Sequence, residues 1–265
     1  MSEYVSLVAK SGQVNTPPGS YQTVKEWALH SFMRPDSNVL EIGCSVGFIA
    51  IELARYTGAR TTGLDINMES IAVAQQNVNT ELAGRCTFLV GDAGNLPFPE
   101  KRFSHVVIGG HLPFIPHQLR RPHVIEAIRV LQPWGFLLTV LYYYHTTPPV
   151  ELVQRFNAEV GTQLQPEHNR DYWSSFFEHP ELELELESVY AFGLPDEARI
   201  QQYLKQLHPK MHLQWERRLR LFAENGRYLH FFVRVYRRYA TGATLRQIPR
   251  GGIYTNFHLV ERRER

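Results

Sequence analysis

The chain has 265 residues, 43% hydrophobic and 20% charged; a fold of that length buries roughly 70–75% of its unfolded surface, which excludes disordered, fibrous and disulfide-stapled classes. The formal net charge of +2 conceals a polar distribution: residues 1–198 hold 13 lysines and arginines against 22 acids (−9), and residues 199–265 hold 15 against 4 (+11). Two cysteines, Cys44 and Cys86, imply no disulfide framework, and neither a signal peptide nor a run near ~18 apolar residues is present, so a cytoplasmic chain without a membrane span is expected.

Between Ser20 and Tyr144 short apolar runs alternate with helical patterns, the signature of βαβ units on a mostly parallel sheet. Tyr21, Val24, Trp27, Ala28 and Phe32 share one helical face; Asn38–Ile42 reads as a strand, Phe48–Tyr56 as a helix and Thr61–Ile66 as a second strand. A helix over Glu69–Leu82 precedes strand three at Thr87–Val90 and strand four at His105–Ile108. Val124–Leu131 reads as a helix and Phe136–Tyr142 as strand five. After Tyr144 come helix and loop over Pro148–Gly161, an aromatic stretch at Asp171–Phe177, and Glu181–Glu187, where glutamates alternate with Leu182, Leu184 and Leu186. A helix started by Pro195 runs to Leu207, a basic amphipathic helix covers His212–Glu224, and Arg227–Arg237 is a late strand. With no internal repeat, one elaborated domain over 1–239 is expected: a lid segment 1–19, a binding half 20–145, an acceptor and lid half 146–239, and then a basic extension 240–265.

Strand one runs into Glu41-Ile42-Gly43-Cys44-Ser45-Val46-Gly47 and then into a helix, a tight turn where helix N–H groups are exposed and small residues let a ligand approach the backbone. The spacing is not the G-x-G-x-x-G of dinucleotide sites. A bare Gly-x-Ser-x-Gly also fits a hydrolase nucleophile elbow with Ser45 as nucleophile, but that elbow needs downstream Asp and His at matching strand ends. The neighbours favour a nucleoside ligand: Asp65, 18 residues after Gly47, ends strand two where a carboxylate takes both ribose hydroxyls, and Gly91-Asp92-Ala93 follows strand three. Taken singly, the glycines suit any strand-to-helix turn, Asp65 suits a helix cap and Asp92 a turn.

The ordered series VLEIGCSVGF, GLDIN, GDAGNLPFPEKRF and RVLQPWGFLL resembles the motif set of class I S-adenosylmethionine-dependent methyltransferases over about residues 20–145, with late strands to Arg237. The resemblance implies a Rossmann-like, doubly wound α/β fold: a mostly parallel seven-stranded sheet with a late antiparallel strand and helical lid insertions. It implies S-adenosyl-L-methionine as cofactor, with Glu41, Gly43, Ser45 and Gly47 beside its methionine and ribose, Asp65 on the ribose hydroxyls, Ile66 against the adenine, Asp92 on the adenine amino group and Ala93 giving a backbone N–H. Two positions depart from the pattern. Ser45 replaces a usual glycine, and Ser104 stands where these proteins often have an acid, a difference that concerns the start of strand four more than chemistry.

Methyl transfer to a hydroxyl or a protonated amine also needs a base, and His111 after strand four and His145 after strand five are the candidates. Tyr21, Tyr144, Tyr172 and Trp173 are candidate substrate-binding residues, suited to an aromatic or largely apolar small molecule. His111, His117 and His123 recur every six residues, which matches no zinc spacing, so no metal is expected. A nucleic-acid acceptor met by Arg217, Arg218, Arg220, Arg227, Arg234, Arg237, Arg238 and Arg246 is the alternative partner. A milder reading folds those arginines back on the acidic front half, or has them steer an anionic metabolite such as a phosphate or carboxylate. A cofactor-binding subunit without turnover, and a homo-oligomer, stay open.

Overall fold

A computed structural model describes residues 15–193, 197–205 and 212–239. The expected extension 240–265, most of the segment 1–19, and Pro195 and Leu207 at the ends of the expected helix lie outside the described residues. Helix α1 (Tyr21–His30) precedes β1 (Asn38–Ile42), α2 (Phe48–Thr57), β2 (Arg60–Asp65), α3 (Met68–Asn77), β3 (Cys86–Val90) and β4 (Phe103–Ile108). Then come α4 (His117–Val130), β5 (Leu131–Tyr144), α5 (Val150–Val160), α6 (Arg170–Ser175), β6 (Leu182–Ala191), α7 (Glu197–Leu204), α8 (His212–Gly226) and β7 (Leu229–Arg238).

The seven strands form one sheet in the order β3-β2-β1-β4-β5-β7-β6, parallel from β3 to β5, with β7 antiparallel to both β5 and β6. Chain direction across the sheet reverses between β1 and β4, which opens a crevice at their C-terminal ends where such sheets bind ligands. Val39, Leu40, Glu41 and Ile42 of β1 are all buried, because helices cover both faces of a parallel sheet. One core holds Leu40, Ile42, Ile108, Leu137, Phe156, Trp173 and Phe232; another, led by Val24, Trp27, Leu53 and Val107, fills the opposite face under α1 and α2.

Three elements differ most from the sequence reading, each for a local reason. The helix expected over Glu69–Leu82 stops at Asn77, and a separate 3-10 turn covers Thr80–Leu82, because the Asn79 side chain accepts the Leu82 N–H and starts that turn afresh. Helix α4 begins at His117 instead of Val124 and carries Pro122 inside. A proline there removes one early backbone bond, while Val124, Ala127 and Ile128 anchor the helix in the core. Strand β5 starts at Leu131, with Trp134 at φ 66° opposite a register shift between Phe103 and His105. At the start of β4 the Ser104 hydroxyl accepts from the Asn38 N–H (2.9 Å) and lies 3.1 Å from the Asn38 carbonyl, tying β4 to β1.

The hidden charge asymmetry resolves into pairing. Glu181, Glu185 and Glu187 at the β6 edge meet Arg238, Arg237 and Arg234 of β7, and Arg217 and Arg218 of α8 meet Glu159 of α5. Arg220 joins Glu197 and Glu216. Six of the eight arginines considered for phosphate contact thus face their own glutamates; Arg227 is exposed, and Arg246 lies outside the described residues. Arg234 is 3% exposed and also reaches the Tyr236 hydroxyl and Ser174 Oγ. Replacing it by Met removes one of the two cations on Glu187 and leaves Arg170 on the other oxygen, so Arg234→Met is expected to cost about 2 kcal/mol in urea unfolding, the loss of a buried hydrogen bond to a charged group, whereas Arg155→Ala at the exposed pair with Glu224 changes stability by less than about 1 kcal/mol.

Candidate functional site

The turn after β1 is built from three left-handed residues, Gly43 (φ 74°), Ser45 (φ 48°) and Gly47 (φ 86°). A Cβ on Gly43 would lie 2.7 Å from the His111 Cβ, and one on Gly47 would lie 2.6 Å from the Phe88 ring, so the protein's own packing already demands both glycines. The Gly43 and Cys44 N–H groups bond the Leu64 carbonyl (2.8 and 3.1 Å). Asp65 completes the turn: its Oδ2 accepts the Ser45 N–H at 2.8 Å and its Oδ1 the Asn67 N–H at 2.9 Å. The helix cap after β2 is Asn67, whose Oδ1 accepts from Glu69 and Ser70, so Asp65 is not itself that cap. Ser45, with its N–H held by Asp65, takes the left-handed φ that glycine would take without cost.

Two acids under this turn have their pKa raised by burial. Glu41, 2% exposed, accepts the Ala50 N–H at 2.8 Å, yet burial pushes its pKa up to about 8, opposed by that bond and reinforced by Asp65. Burial likewise raises Asp65 against the N–H bonds from Asn67, Ser45 and Ile66. A positive charge arriving here would favour both carboxylates. Ile66 stands 63% exposed beside them, with Met68, Leu89 and Val90 also exposed, a set of apolar side chains at the ends of β2 and β3.

Asp92 is exposed; its Oδ1 accepts the Gly94 N–H at 2.8 Å, and Ala93 between them is half-buried. His111 approaches from the loop after β4. Its Nε2 is 3.3 Å from His123 Nδ1, and burial, then the neighbouring His123, lowers its pKa to about 3, so its ring is neutral near pH 7. His123, on α4, was not singled out by sequence beyond the six-residue spacing, yet it bridges the Asp92 loop and His111. His145 lies elsewhere: it stacks on His230 at 4.0 Å, with Nε2 3.3 Å from the Arg227 carbonyl and Nδ1 3.0 Å from Thr146 Oγ1. The two histidines are thus held by different surroundings, His111 against the β1 turn and His145 over β7.

The four aromatic candidates separate as well. Tyr21 is half exposed and packs edge-on to Phe48 at 5.0 Å. The Tyr144 hydroxyl is buried, donates to Asn225 Oδ1 at 3.1 Å, and is pushed up to about 12 by burial. Trp173 is fully buried, with the Arg120 guanidinium 4.8 Å over its ring, so it backs the wall and does not line it; its apolar bulk belongs to the core. Tyr172 remains half-buried, with its hydroxyl 2.7 Å from His117 Nδ1 and bonded by Arg120. Arg120 is absent from the sequence reading, and His117 enters it only through the six-residue spacing, because Tyr172, on which they converge, lies more than 50 residues away.

Residues 39–135 match the family model described as a methyltransferase domain. An uncharacterized protein of Haemophilus influenzae is 29% identical over 174 residues, 65% of this chain and 69% of that one. A fatty-acid O-methyltransferase of Mycolicibacterium smegmatis is 40% identical over 130 residues, 48% of this chain and 43% of that one. Against the named methyltransferases it matches, the chain spans about half of their length or less. Among solved structures, the MccD protein superposes with TM-score 0.75 and 23% identity, covering 84% of this chain and all of that one, which shows the fold.

The buried Glu41 has a pH signature of its own. Between pH 4.5 and about 8 the unfolded chain releases this proton while the folded chain keeps it, so the folded state binds more protons and loses stability as pH rises through that window. Glu41→Gln is expected to remove up to about 1.4 kcal/mol per pH unit of that slope, read from urea midpoints at pH 5 to 8.5. Parallel pH profiles for the two proteins would contradict the assignment.

Proposed function

We propose, from the match of residues 39–135 to a methyltransferase domain, that the chain is a class I S-adenosylmethionine-dependent methyltransferase that transfers the sulfonium methyl group to a small, largely apolar or aromatic acceptor over the C-terminal ends of β4 and β5. The reading rests above all on the convergence of Glu41, the Gly43–Gly47 turn, Asp65 and Asp92 at the C-terminal ends of three neighbouring strands. The named relative that acts on a fatty acid supports a small apolar acceptor.

The residues suit the cofactor. Asp65 spends one lone pair of each oxygen on the turn and keeps others for hydroxyl donors, so it orients a ribose and rigidifies its own binding loop with one carboxylate. Exposed Ile66 offers an apolar face to an adenine, and Asp92 with the Ala93 N–H offers an acceptor and a donor at its rim. Glu41 answers the positive charge of the donor by giving up its proton. The cofactor supplies an already activated methyl group; the protein's work is alignment and exclusion of water.

His111, neutral and seated on Gly43, is assigned to the methionine side of the site as a wall and hydrogen-bond partner; a pKa near 3 makes it a poor resting base. His145 is assigned no proton transfer, since both of its ring nitrogens already face protein oxygens.

Calorimetry with S-adenosylhomocysteine tests the site. Wild type is expected to bind, and Asp65→Ala to bind at least about 100-fold more weakly, the loss of two hydrogen bonds to a charged group. No binding by wild type, or equal binding by the variant, refutes the reading. Near pH 7, binding of cationic S-adenosylmethionine is expected to release a proton, seen as an enthalpy that depends on the buffer, and Glu41→Gln to abolish that dependence.

A further inference from the structure

Buried arginines in this fold come with a carboxylate, save one. Arg218, Arg234 and Arg238 are buried and each meets a glutamate. Arg120, 1% exposed and the most enclosed of the four, has no ion pair among the described residues. Its Nε donates to the Leu112 and Ile115 carbonyls (3.1 and 3.3 Å), one terminal nitrogen to the Gln163 carbonyl (2.8 Å), and the other to the Tyr172 hydroxyl. These partners are neutral, and each terminal nitrogen keeps a second N–H for which the described residues offer no acceptor. Burying a charge without a counter-charge is costly, and it persists where something else compensates it.

What surrounds Arg120 is uniformly short of negative charge. An arginine only donates, so the Tyr172 oxygen accepts from Arg120, and it lies 2.7 Å from His117 Nδ1. His168 stacks on Tyr172 at 3.9 Å and is driven down to about 3 by burial and by the charges of Arg120 and His117, which keeps it neutral. Exposed Glu167 is the acid that Tyr172 feels, and it makes no ion pair with Arg120; Tyr142 of β5 is the other phenol that acts on the guanidinium. The first turn of α4 carries His117, Arg120 and Arg121, no acid and no side-chain cap, against the preference of a helix N-terminus for negative charge. Leu112 and Ile115, whose carbonyls hold Arg120, belong to the same loop that brings His111 onto Gly43, so the cluster borders the proposed cofactor site on its acceptor side.

We propose that the acceptor is an anion, a carboxylate or phosphate on a largely apolar body, whose charged group docks at the Tyr172–His117 face with Arg120 as its buried counter-charge. The half-buried Tyr172 and the adjoining Phe176 ring, 5.2 Å from it, supply an apolar wall. This inference rests on the cofactor reading above, and a single titration series separates the two.

With S-adenosylhomocysteine saturating, octanoate, octyl phosphate and octanol are titrated calorimetrically into wild type, Arg120→Met and His117→Gln. At least one anion is expected to bind wild type about tenfold or more tightly than the alcohol, a preference weakened by added salt. Arg120→Met is expected to erase the preference while S-adenosylhomocysteine affinity stays within about twofold, which also reports that the variant folds. Should Arg120→Met fail to fold, His117→Gln carries the test, with at least about threefold of the preference lost. Wild type that binds S-adenosylhomocysteine but favours neither anion over the alcohol overturns the proposal, as does a preference that survives in a folded Arg120→Met or in His117→Gln. Failure of S-adenosylhomocysteine to bind wild type strikes the cofactor reading instead. The arms with carboxylate and phosphate distinguish the two sources of charge.

Discussion

One carboxylate joins the two turns on which the site depends. Asp65 accepts from Ser45 on the turn after β1 and from Asn67 on the turn after β2, across 20 residues of sequence in the first case. The Gly43 and Cys44 N–H groups on the Leu64 carbonyl complete the clasp. Because these bonds fix three left-handed residues, α2 leaves β1 at a set angle, and Glu41 is enclosed beneath it with its Oε2 on the Ala50 N–H. The crevice between β1 and β4 exists through topology; the clasp gives it a floor of defined shape.

Charge is managed in three ways across the molecule. At the β6–β7 edge, arginine and glutamate neutralise one another in side-by-side pairs, so Arg234, Arg237 and Arg238 of the basic second part close on acids of the first. Under the β1 turn, buried Glu41 and half-buried Asp65 have no ion pair among the described residues, and burial raises their affinity for protons. Around Arg120, a cation is buried without an acid and is solvated by carbonyls and a phenol. The last two arrangements are complementary, acids without a cation under the β1 turn and a cation without an acid around Arg120 among the described residues, with the loop from His111 to Ile115 between them. Groups left electrically incomplete by the fold are where ligands have something to add.

Much of this was legible in the residues. The alternation of strands and helices from Ser20 to Tyr144 follows from periodicity, and β1 was bounded at Asn38 and Ile42 because a buried strand is a short apolar run between turn residues. The end of α3 was misjudged because Asn79 starts a competing turn, and the start of α4 because Pro122 looks like a helix breaker when read without the core beneath it. His111 and His145 looked equivalent, each a histidine a few residues past a strand. In the fold one is pressed on Gly43 and the other stacks on His230. Trp173 and Tyr172 are adjacent in sequence, yet the helical turn points one into the core and leaves the other at its margin.

By itself the sequence determined the fold class and the methyltransferase-domain motifs, since each of those motifs is a strand, the turn after it and the helix beyond, all within a few residues of one another. Tertiary structure decided the rest. Arg234 finds Glu187 across 47 residues, Arg120 finds Tyr172 across 52, and His117 finds Tyr172 across 55. Such meetings depend on how strands and helices stack and leave no periodic trace in the chain. They determine which basic residues are neutralised by their own fold and which buried cation has no ion pair among the described residues.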